Sequence, residues 1–356
     1  MKKILIFIIT IVLIVVSFIG FYFYSITPVS SKSEEVSFYV EEGQTYSTIV
    51  NNLKKKDLIR NEFSYKVFLK LNSNYNNLDF GEYILNKNMS VEEILNTLKK
   101  GPNSSNNTIS ITFVEGKNMR YIINTITKNF NISQTDIINK LKDSTYLDSL
   151  INKYWFLSDE IKNKDIYYSL EGYLYPDTYE YYRSSKIEDI FSKMLDNMES
   201  KLEQYKSEIA SSKYTIHQML TLASIIEQEA NSSTDRKGVA GVFYNRLEDN
   251  WSLGSDVTTY YAAKIDNYSR DLTISELNDC NSYNTRSSCM MGKLPIGPIC
   301  NPSFNSILAA IEPQKHNYFY FVADKTGKTY FTKTDSEHHN IISKLKREGL
   351  WIEYEE

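Results

Sequence analysis

An uncharged apolar run near the N-terminus constrains the chain more than any other feature. The run extends from Ile4 to Ile26, and Lys2 and Lys3 precede it. As a helix it would measure roughly 34 Å, which exceeds the hydrocarbon core of a bilayer. Because positive side chains favour the cytoplasmic side, the run predicts a transmembrane helix with residues 1–3 in the cytoplasm. No later run is long and apolar enough to span a membrane, so the remainder is expected outside the cytoplasm.

A cleaved signal peptide is the alternative interpretation of this run. Signal peptides have an apolar region of about 7–15 residues, followed by a cleavage site with small side chains. Here the run is longer and ends in aromatic residues, from Phe21 to Tyr24, which suit a membrane interface. The sequence therefore favours an uncleaved anchor over residues 4–26, followed by a polar linker over residues 27–35.

Composition and motif searches exclude several classes of function. The formal net charge of −4 gives no indication of nucleic-acid binding. No phosphate-binding glycine loop or serine-hydrolase motif is found. Cys280, Cys289 and Cys300 match no common zinc spacing, and His338 and His339 are adjacent rather than one helical turn apart. We therefore expect no metal and no cofactor, whereas a disulfide between two of the cysteines stays open.

Alternating apolar and polar side chains predict a small α+β module at residues 36–101. The stretch VSFYV alternates as a half-buried strand does, and FGEYIL predicts a second strand. Helices are predicted between and after these strands. Ser90 and Glu93 have the spacing of a capping box for the last helix, which Gly101 is expected to end.

The remainder of the chain is predicted to be one large domain. Residues 102–108 form a polar linker, and helices alternate with short strands over residues 109–356. The predicted fold class is therefore α+β, with an N-terminal transmembrane helix, the small α+β module and a mixed α/β domain.

Two acidic residues are notable because most of their neighbours in the sequence are apolar. The stretch LTLASIIEQEA, Leu220 to Ala230, has the periodicity of a helix, and Glu227 and Glu229 flank its apolar face. Burying a carboxylate is costly unless the group is paired or used. Glu227 lies beside Leu220 and Ala223, which leave more space for a ligand than the neighbours of Glu229.

A purely structural interpretation is that each acid pairs with an arginine, such as Arg236 or Arg246. Polar residues downstream favour a binding cleft instead, because their side chains supply donors and platforms for a sugar, and nearby glycine–proline loops favour a preformed cleft. The predicted substrate-binding residues are Asn245, Arg246, Asp256, Thr258, Tyr283, Asn284, Thr285, His339 and Asn340.

An ordered series of motifs resembles the MltG (YceG-like) endolytic murein transglycosylases. In chain order the motifs are LEGYLYPDTYEYY, ASIIEQEA, GVFYNRL, SDVTTYYA, YNT, GKLPIGPICNP, YFYFVAD and HHN. Such a series is far more specific than any single motif, and the resemblance covers nearly the whole chain. The single anchor fits the family, and the module at residues 36–101 is LysM-like. The insert RSSCMM, residues 286–291, departs from the pattern, so the fold of that loop stays open.

The resemblance implies a single catalytic carboxylate, which maps onto Glu227, the first acid of EQE. Asp256 and Tyr283–Thr285 map onto positions expected to line the cleft. Protonated Glu227 would donate to the glycosidic oxygen between N-acetylmuramic acid and N-acetylglucosamine and then accept the proton of the sugar's 6-hydroxyl. The product would be a 1,6-anhydro end formed without water. Apolar neighbours help an acid keep its proton, and Glu229 is expected to be structural.

Two other functions stay open at this point. A muramidase would add a second carboxylate, with Asp256 as the first candidate, and would give a hydrolysed reducing end. A non-catalytic scaffold would hold glycan through the LysM-like module, although an intact Glu227 argues against this. The chemical nature of the new reducing end distinguishes a muramidase from a transglycosylase. Any cleavage of glycan excludes the non-catalytic scaffold.

The resemblance also implies a location and partners. The substrate would be peptidoglycan glycan strands, cut internally so that elongation of nascent strands stops. The expected location is the cell membrane, with a single pass, a cytoplasmic N-terminus and an extracytoplasmic catalytic domain. Peptidoglycan synthases (penicillin-binding proteins) and the elongation or division complexes are the expected protein partners.

Overall fold

The computed structural model describes residues 2–41, 43–72, 78, 80–102, 108–183, 185–230, 236–266 and 268–351. The chain divides into two compact units, of which the first comprises residues 1–109 with 182–184 and the second residues 110–181 with 185–356. Helices dominate, and the strands form three two-stranded sheets among the described residues. The predicted mixture of helix and sheet is confirmed.

The first unit begins with helix α1 (Lys2–Ser25). Its stretch Phe7–Ser25 is long and apolar enough to cross a membrane, and its large apolar side chains are exposed. An N-terminal signal sequence can also meet these criteria of length and hydropathy, so the choice between anchor and signal stays a prediction.

The rest of the first unit is a small α+β arrangement. It contains β1 (Glu35–Val40), α2 (Tyr46–Lys55), α3 (Glu62–Leu71), β2 (Gly81–Asn86) and α4 (Val91–Lys99). The two strands pair antiparallel with Phe38 opposite Tyr83, and both of these side chains are buried in the core. Both predicted strands are present. The capping box of Ser90 and Glu93 at the start of α4 is confirmed.

The second unit holds the remaining elements. In chain order they are β3 (Thr108–Thr112), α5 (Met119–Asn129), α6 (Gln134–Lys140), α7 (Ser144–Lys153), β4 (Thr178–Tyr182), α8 (Ile187–Leu202), α9 (Lys206–Ser211), α10 (Ile216–Glu229), α11 (Arg236–Glu248), α12 (Asp256–Ala262), α13 (Ile274–Asn278), α14 (Phe304–Ile311), β5 (Tyr320–Ala323), β6 (Thr329–Thr332) and α15 (Asp335–Arg347). Strand β3 pairs with β4, and β5 pairs antiparallel with β6.

Helix α10 is the centre of the second unit and packs against α11, α12 and α14. Thr215 and Gln218 form a capping box at its start. His217 and every residue from Met219 to Ile226 are buried. The expectation of one apolar face was therefore too narrow, because other elements cover this helix on all sides. Its polar residues in the buried stretch bond to the helix backbone, as when the Ser224 hydroxyl donates to the Thr221 carbonyl at 2.7 Å.

The structure also shows the state of the cysteines. Cys280 and Cys289 form a disulfide with Cα atoms 5.7 Å apart, and Cys300 is free and buried. Within the insert at residues 286–291, a short 3₁₀ helix runs from Ser288 to Met290 and is capped by the Ser287 side chain. The disulfide thus ties this insert to the preceding loop.

Candidate active site

Glu227 lies in the last turn of α10, and its carboxylate meets the start of α14. The side chain is only 9% exposed. Its Oε2 atom accepts hydrogen bonds from the backbone N–H of Ser303 at 3.1 Å, from the Ser303 hydroxyl, and from the Ser306 hydroxyl at 2.6 Å. Ser303 is the N-cap of α14 and Ser306 is in its first turn. A negative charge is stabilised at this position because helix N-termini present unpaired N–H groups.

The second oxygen of Glu227 faces an arginine. Arg236 Nη2 lies 3.6 Å from Oε1, which is an ion pair but too long for a hydrogen bond. Arg236 Nε also donates to the Ser306 hydroxyl at 2.9 Å. The arginine pairing weighed for Glu227 as a structural alternative is therefore present, and it occurs together with the serine contacts.

The turn at Gly116 packs directly against this acid. A Cβ atom on Gly116 would lie 3.4 Å from Glu227 Cγ and 3.1 Å from Gln228 Nε2, and the residue has a φ of +72°, which glycine adopts without strain. Gln228 Nε2 donates to the Gly116 carbonyl at 2.7 Å. Burial, and then the charge of Glu227, raise the pKa of the neighbouring Glu115, while Arg236 opposes this shift. A second carboxylate, that of Glu115, therefore lies close enough to feel the charge of the candidate catalytic acid.

Glu229 occupies a different environment at the end of the same helix. It is partly buried, and its carboxylate accepts a hydrogen bond from the Ser255 hydroxyl at 2.5 Å. Burial raises the pKa of Glu229, Ser255 opposes the shift, Asp256 adds to it and Arg246 opposes it. This setting is that of a packed structural acid.

Asn245 and Arg246 bind backbone carbonyls. Asn245 Nδ2 donates to the carbonyls of His316 at 3.0 Å and Tyr318 at 2.8 Å. Arg246 donates to the carbonyls of Phe319 at 2.8 Å and Leu253 at 2.6 Å. Both side chains hold the segment that precedes β5, and their assignment to substrate remains a prediction.

Four more predicted site residues are buried and bonded inside the protein: Thr258, Tyr283, Asn284 and Thr285. The Thr258 and Thr285 hydroxyls are 2.8 Å apart, and Asn284 accepts from the Thr259 hydroxyl at 2.6 Å. The Tyr283 hydroxyl accepts from the backbone N–H of Tyr167 at 3.2 Å. These contacts fix the loop that carries YNT, so direct contact between these side chains and a glycan stays untested.

The remaining predicted residues are on the surface. Asp256 pairs with Arg286 at 3.0 Å. His339 and Asn340 are exposed on α15, and His339 Nδ1 bonds to the carbonyl of Asp335 at 2.9 Å. None of these three residues contacts Glu227 in the described part of the chain.

A cleft of about 430 Å³ lies between α5 and α12, beside the Gly116 turn. Gly116 and Gln228 line it. Gly116 packs against the Glu227 side chain, and Gln228 follows Glu227 in the chain and donates to the Gly116 carbonyl. Its aromatic lining consists of Tyr121, Tyr260, Tyr261 and Tyr268, and its charged lining of Lys117, Arg120 and Asp266. We call it the α5–α12 cleft. Tyrosine rings beside charged and amide groups suit a sugar, which needs stacking surfaces and hydrogen bonds.

The walls of the α5–α12 cleft are held by specific pairs. Arg120 Nε and Nη2 both donate to the Asp266 carboxylate, at 3.0 and 2.6 Å, and the Arg120 charge lowers the pKa of Asp266. The Tyr268 hydroxyl donates to Gln228 Oε1 at 2.7 Å. Gln228 also donates to the Gly116 carbonyl. It therefore connects Tyr268 in the cleft wall to the Gly116 turn, which packs against Glu227.

Sequence reasoning missed several residues that this geometry brings together. Ser303 and Ser306 bind the acid, Glu115 feels its charge, and Glu171 is buried behind the cleft wall at Tyr261. Burial raises the pKa of Glu171 to about 7. The hydrogen bonds donated by Met119 and Tyr261 and the charge of Arg120 partly oppose this rise. A usable signal was present, since Glu171 belongs to LEGYLYPDTYEYY and Ser303 directly follows GPICNP.

Comparisons with known proteins identify the family of this chain. The family model described as the YceG-like family matches residues 38–344. An endolytic murein transglycosylase of Bacillus subtilis (strain 168) is 34% identical over 320 residues, which cover 89% of this chain and 87% of that protein. An endolytic murein transglycosylase of Streptococcus pneumoniae serotype 2 is 32% identical over 335 residues, which cover 90% of this chain and 60% of that protein.

A solved structure is similar as well. The crystal structure of a yceG-like protein from Listeria monocytogenes matches with a TM-score of 0.59 and 31% identity, over 87% of this chain and all of that chain. Since the family model matches most of the sequence and relatives above 30% identity cover nearly all of it, this chain belongs to the YceG-like family.

Proposed function

We propose that this chain is an endolytic lytic transglycosylase of peptidoglycan and that Glu227 is its catalytic acid and base. The curated relatives are named endolytic murein transglycosylases. The observation that carries the residue assignment is the position of Glu227, at the end of a buried helix and beside the turn that lines the α5–α12 cleft.

The contacts of Glu227 indicate which oxygen carries the proton. Three donors from Ser303 and Ser306 point at Oε2, so that oxygen acts as an acceptor. The transferable proton therefore belongs on Oε1. This oxygen lies 3.8 Å from the Cβ position built on Gly116, and Gly116 lines the cleft. A Cβ atom there would be in ordinary van der Waals contact with the donating oxygen, whereas its approach to Gln228 Nε2 at 3.1 Å would be tight.

The proposed reaction needs no water and no second carboxylate. Glu227 transfers its Oε1 proton to the glycosidic oxygen as the bond from C1 of N-acetylmuramic acid breaks. The 6-hydroxyl oxygen of the same sugar attacks C1, and its proton passes to the Glu227 carboxylate. The leaving strand gains one proton, the new end is a 1,6-anhydro ring, and Glu227 returns protonated. Between the two transfers, Arg236 and both serines stabilise the carboxylate.

A hydrolytic reaction is the second candidate, and one observation favours it. The charge of Glu227 contributes to the raised pKa of Glu115, so a second carboxylate is close to the candidate acid, and a two-carboxylate glycosidase needs such a residue as its base. Asp256, the residue first considered for this role, instead acts on Glu229 and pairs with Arg286. The nature of the reducing end distinguishes the two reactions.

The proposal assigns separate roles to the parts of the chain. Residues 4–26 anchor the protein with its N-terminus in the cytoplasm, the LysM-like residues 36–101 assist glycan binding, and residues 109–356 carry out cleavage. The exposed apolar helix α1 and the small α+β unit support this division. A folded chain lacking residues 36–101 should keep residual cleavage. Peptidoglycan synthases and the elongation or division complexes remain predicted partners.

Glu227→Gln should abolish most of the activity, because it keeps the size of the side chain and removes the transferable proton. We expect kcat to fall by at least about 10³-fold, towards the upper end of general acid–base effects. Glu229→Gln is the matched control on the same helix. Burial already favours the neutral form of Glu229, so the neutral amide should cost far less. Strong loss in Glu229→Gln with full activity in Glu227→Gln would mean that the wrong acid was assigned.

Digestion of purified glycan strands should release internal fragments that end in 1,6-anhydro-N-acetylmuramic acid. Mass spectrometry separates these from hydrolysed ends by the mass of one water. Hydrolysed ends as the main product would contradict the transglycosylase reaction, and Glu115→Gln would then be the variant expected to remove them. Fragments released only from strand termini would contradict the internal cleavage.

Protease added to intact, wall-stripped cells should digest residues 109–356, because the two lysines before the apolar run favour a cytoplasmic N-terminus. Immunoblotting with an antibody against this region measures the loss, and a cytoplasmic protein serves as the integrity control. Protection of the region in intact cells, with digestion only after lysis, would show that the topology is wrong. Release of the protein into the medium would instead indicate a cleaved signal peptide.

A further inference from the structure

Glu171 is a buried carboxylate that the proposed reaction does not use. It lies in the turn between α7 and β4 and is only 1% exposed. Its Oε2 atom accepts from the backbone N–H of Met119 and from the Tyr261 hydroxyl, both at 2.9 Å. Its Oε1 atom accepts from Asn301 Nδ2 at 3.2 Å. All three contacts are donors, so the side chain serves as an acceptor that joins α5, α12 and the loop before α14.

Asn301 can meet Glu171 in one orientation only. Its Oδ1 atom accepts from the backbone N–H groups of Gly172 at 3.0 Å and Leu174 at 3.1 Å. An amide flip would point its NH₂ group at these two donors, so Nδ2 must face Glu171. The Asn301 side chain is therefore fixed by the same turn that carries Glu171.

The turn and the loop also meet too closely for any side chain at one position. Gly172 has a φ of +83°, and a Cβ atom there would lie 2.3 Å from Pro298 Cβ. Only glycine allows this approach. The contact between Glu171 and Asn301 is thus part of a packed junction between the two segments.

This junction connects to both sides of Glu227. The Asn301 carbonyl accepts from the N–H of Gly116 at 2.9 Å, and the Asn301 N–H donates to the Lys117 carbonyl at 3.0 Å. Two residues after Asn301, Ser303 donates to the Glu227 carboxylate. A shift of the Asn301 backbone would therefore move the Gly116 turn and the serine donors together.

We infer that Glu171 is a positioning residue for the reaction, holding Asn301 so that the Gly116 turn and Ser303 keep the Glu227 carboxylate aimed at the cleft. The inference rests on the proposed catalytic role of Glu227. Glu171 itself has no contact with the acid and needs none, because its effect passes through the backbone of residues 301–303 and 116–117.

Two single substitutions break the same contact in opposite ways. In Glu171→Gln the oxygen keeps the two donors at the Oε2 position, and the new NH₂ group faces the NH₂ group of Asn301. In Asn301→Asp the new carboxylate oxygen faces the carboxylate of Glu171. We expect each variant to lower kcat by about 10- to 100-fold with KM nearly unchanged, since small misplacements of catalytic groups cost this much.

The double variant Glu171→Gln/Asn301→Asp restores a donor opposite an acceptor with the polarity reversed, although it still lacks the 3.3 Å contact from Asn301 Nδ2 to the Lys117 carbonyl. Its kcat should therefore exceed that of Asn301→Asp, which lacks both contacts, and this is the non-additivity expected of a direct contact. Tyr154→Phe is the control, because it removes the buried hydroxyl that bonds to Asp196 at 2.6 Å elsewhere in the same unit. It should lower the melting temperature and leave kcat unchanged.

Purified full-length variants are compared in the glycan-cleavage assay, with melting temperatures measured in parallel. Single variants with wild-type kcat would overturn the inference, as would a double variant no faster than Asn301→Asp. A kcat that simply follows the melting temperature, with Tyr154→Phe equally impaired, would show a structural role only. Glu227→Gln is measured alongside. If it stays active, the catalytic assignment fails, whereas an inert Glu227→Gln with unimpaired Glu171→Gln would refute the positioning role alone.

Discussion

The hydrogen bonds between the Glu227 carboxylate and the start of α14 are the contact on which the site depends. The acid lies in the last turn of a helix whose residues from Met219 to Ile226 are all buried, and Ser303 and Ser306 begin the helix that packs against it. Because both serines donate to Oε2, the contact fixes the orientation of the carboxylate and leaves Oε1 facing Arg236 and the Gly116 turn. Arg236 binds the acid and Ser306 together, so removing one member of the group would disturb the others.

Three acids of the second unit show how surroundings separate roles that residue type alone does not. Glu227 is slightly exposed and lies beside the α5–α12 cleft. Glu229, two residues later, is partly buried like Glu227 and is bonded to Ser255, and burial raises its pKa. Glu171 is fully buried, and three donors converge on it. Exposure alone does not separate Glu227 from Glu229, but Glu227 packs against the Gly116 turn that lines the cleft. A fully buried acid with converging donors is suited to holding backbone segments in register.

Local patterns predicted the local structure well. The strands β1 and β2, the capping box of α4 and the helix that carries EQE all follow from periodicity and cap chemistry over a few residues. Contacts distant in sequence were not predictable in this way. Ser303 lies 76 residues from Glu227, and Asn301 lies 130 residues from Glu171. Asn284 was predicted to bind sugar because its amide offers donors. In the structure its NH₂ group instead donates to backbone carbonyls of α13 and of the loop after it. Residue type indicates bonding capacity, and only the fold decides the partner.

The central claim is that Glu227 presents Oε1 to the bond that breaks. The most direct test is a crystal structure of Glu227→Gln with an uncut oligomer of alternating N-acetylglucosamine and N-acetylmuramic acid. We expect the glycan to occupy the α5–α12 cleft, with one glycosidic oxygen within hydrogen-bonding distance of the substituted side chain. The serine contacts to the other side-chain atom should remain. A glycan whose glycosidic oxygens all lie beyond the reach of this side chain, or next to a different carboxylate, would show that Glu227 is not the catalytic acid.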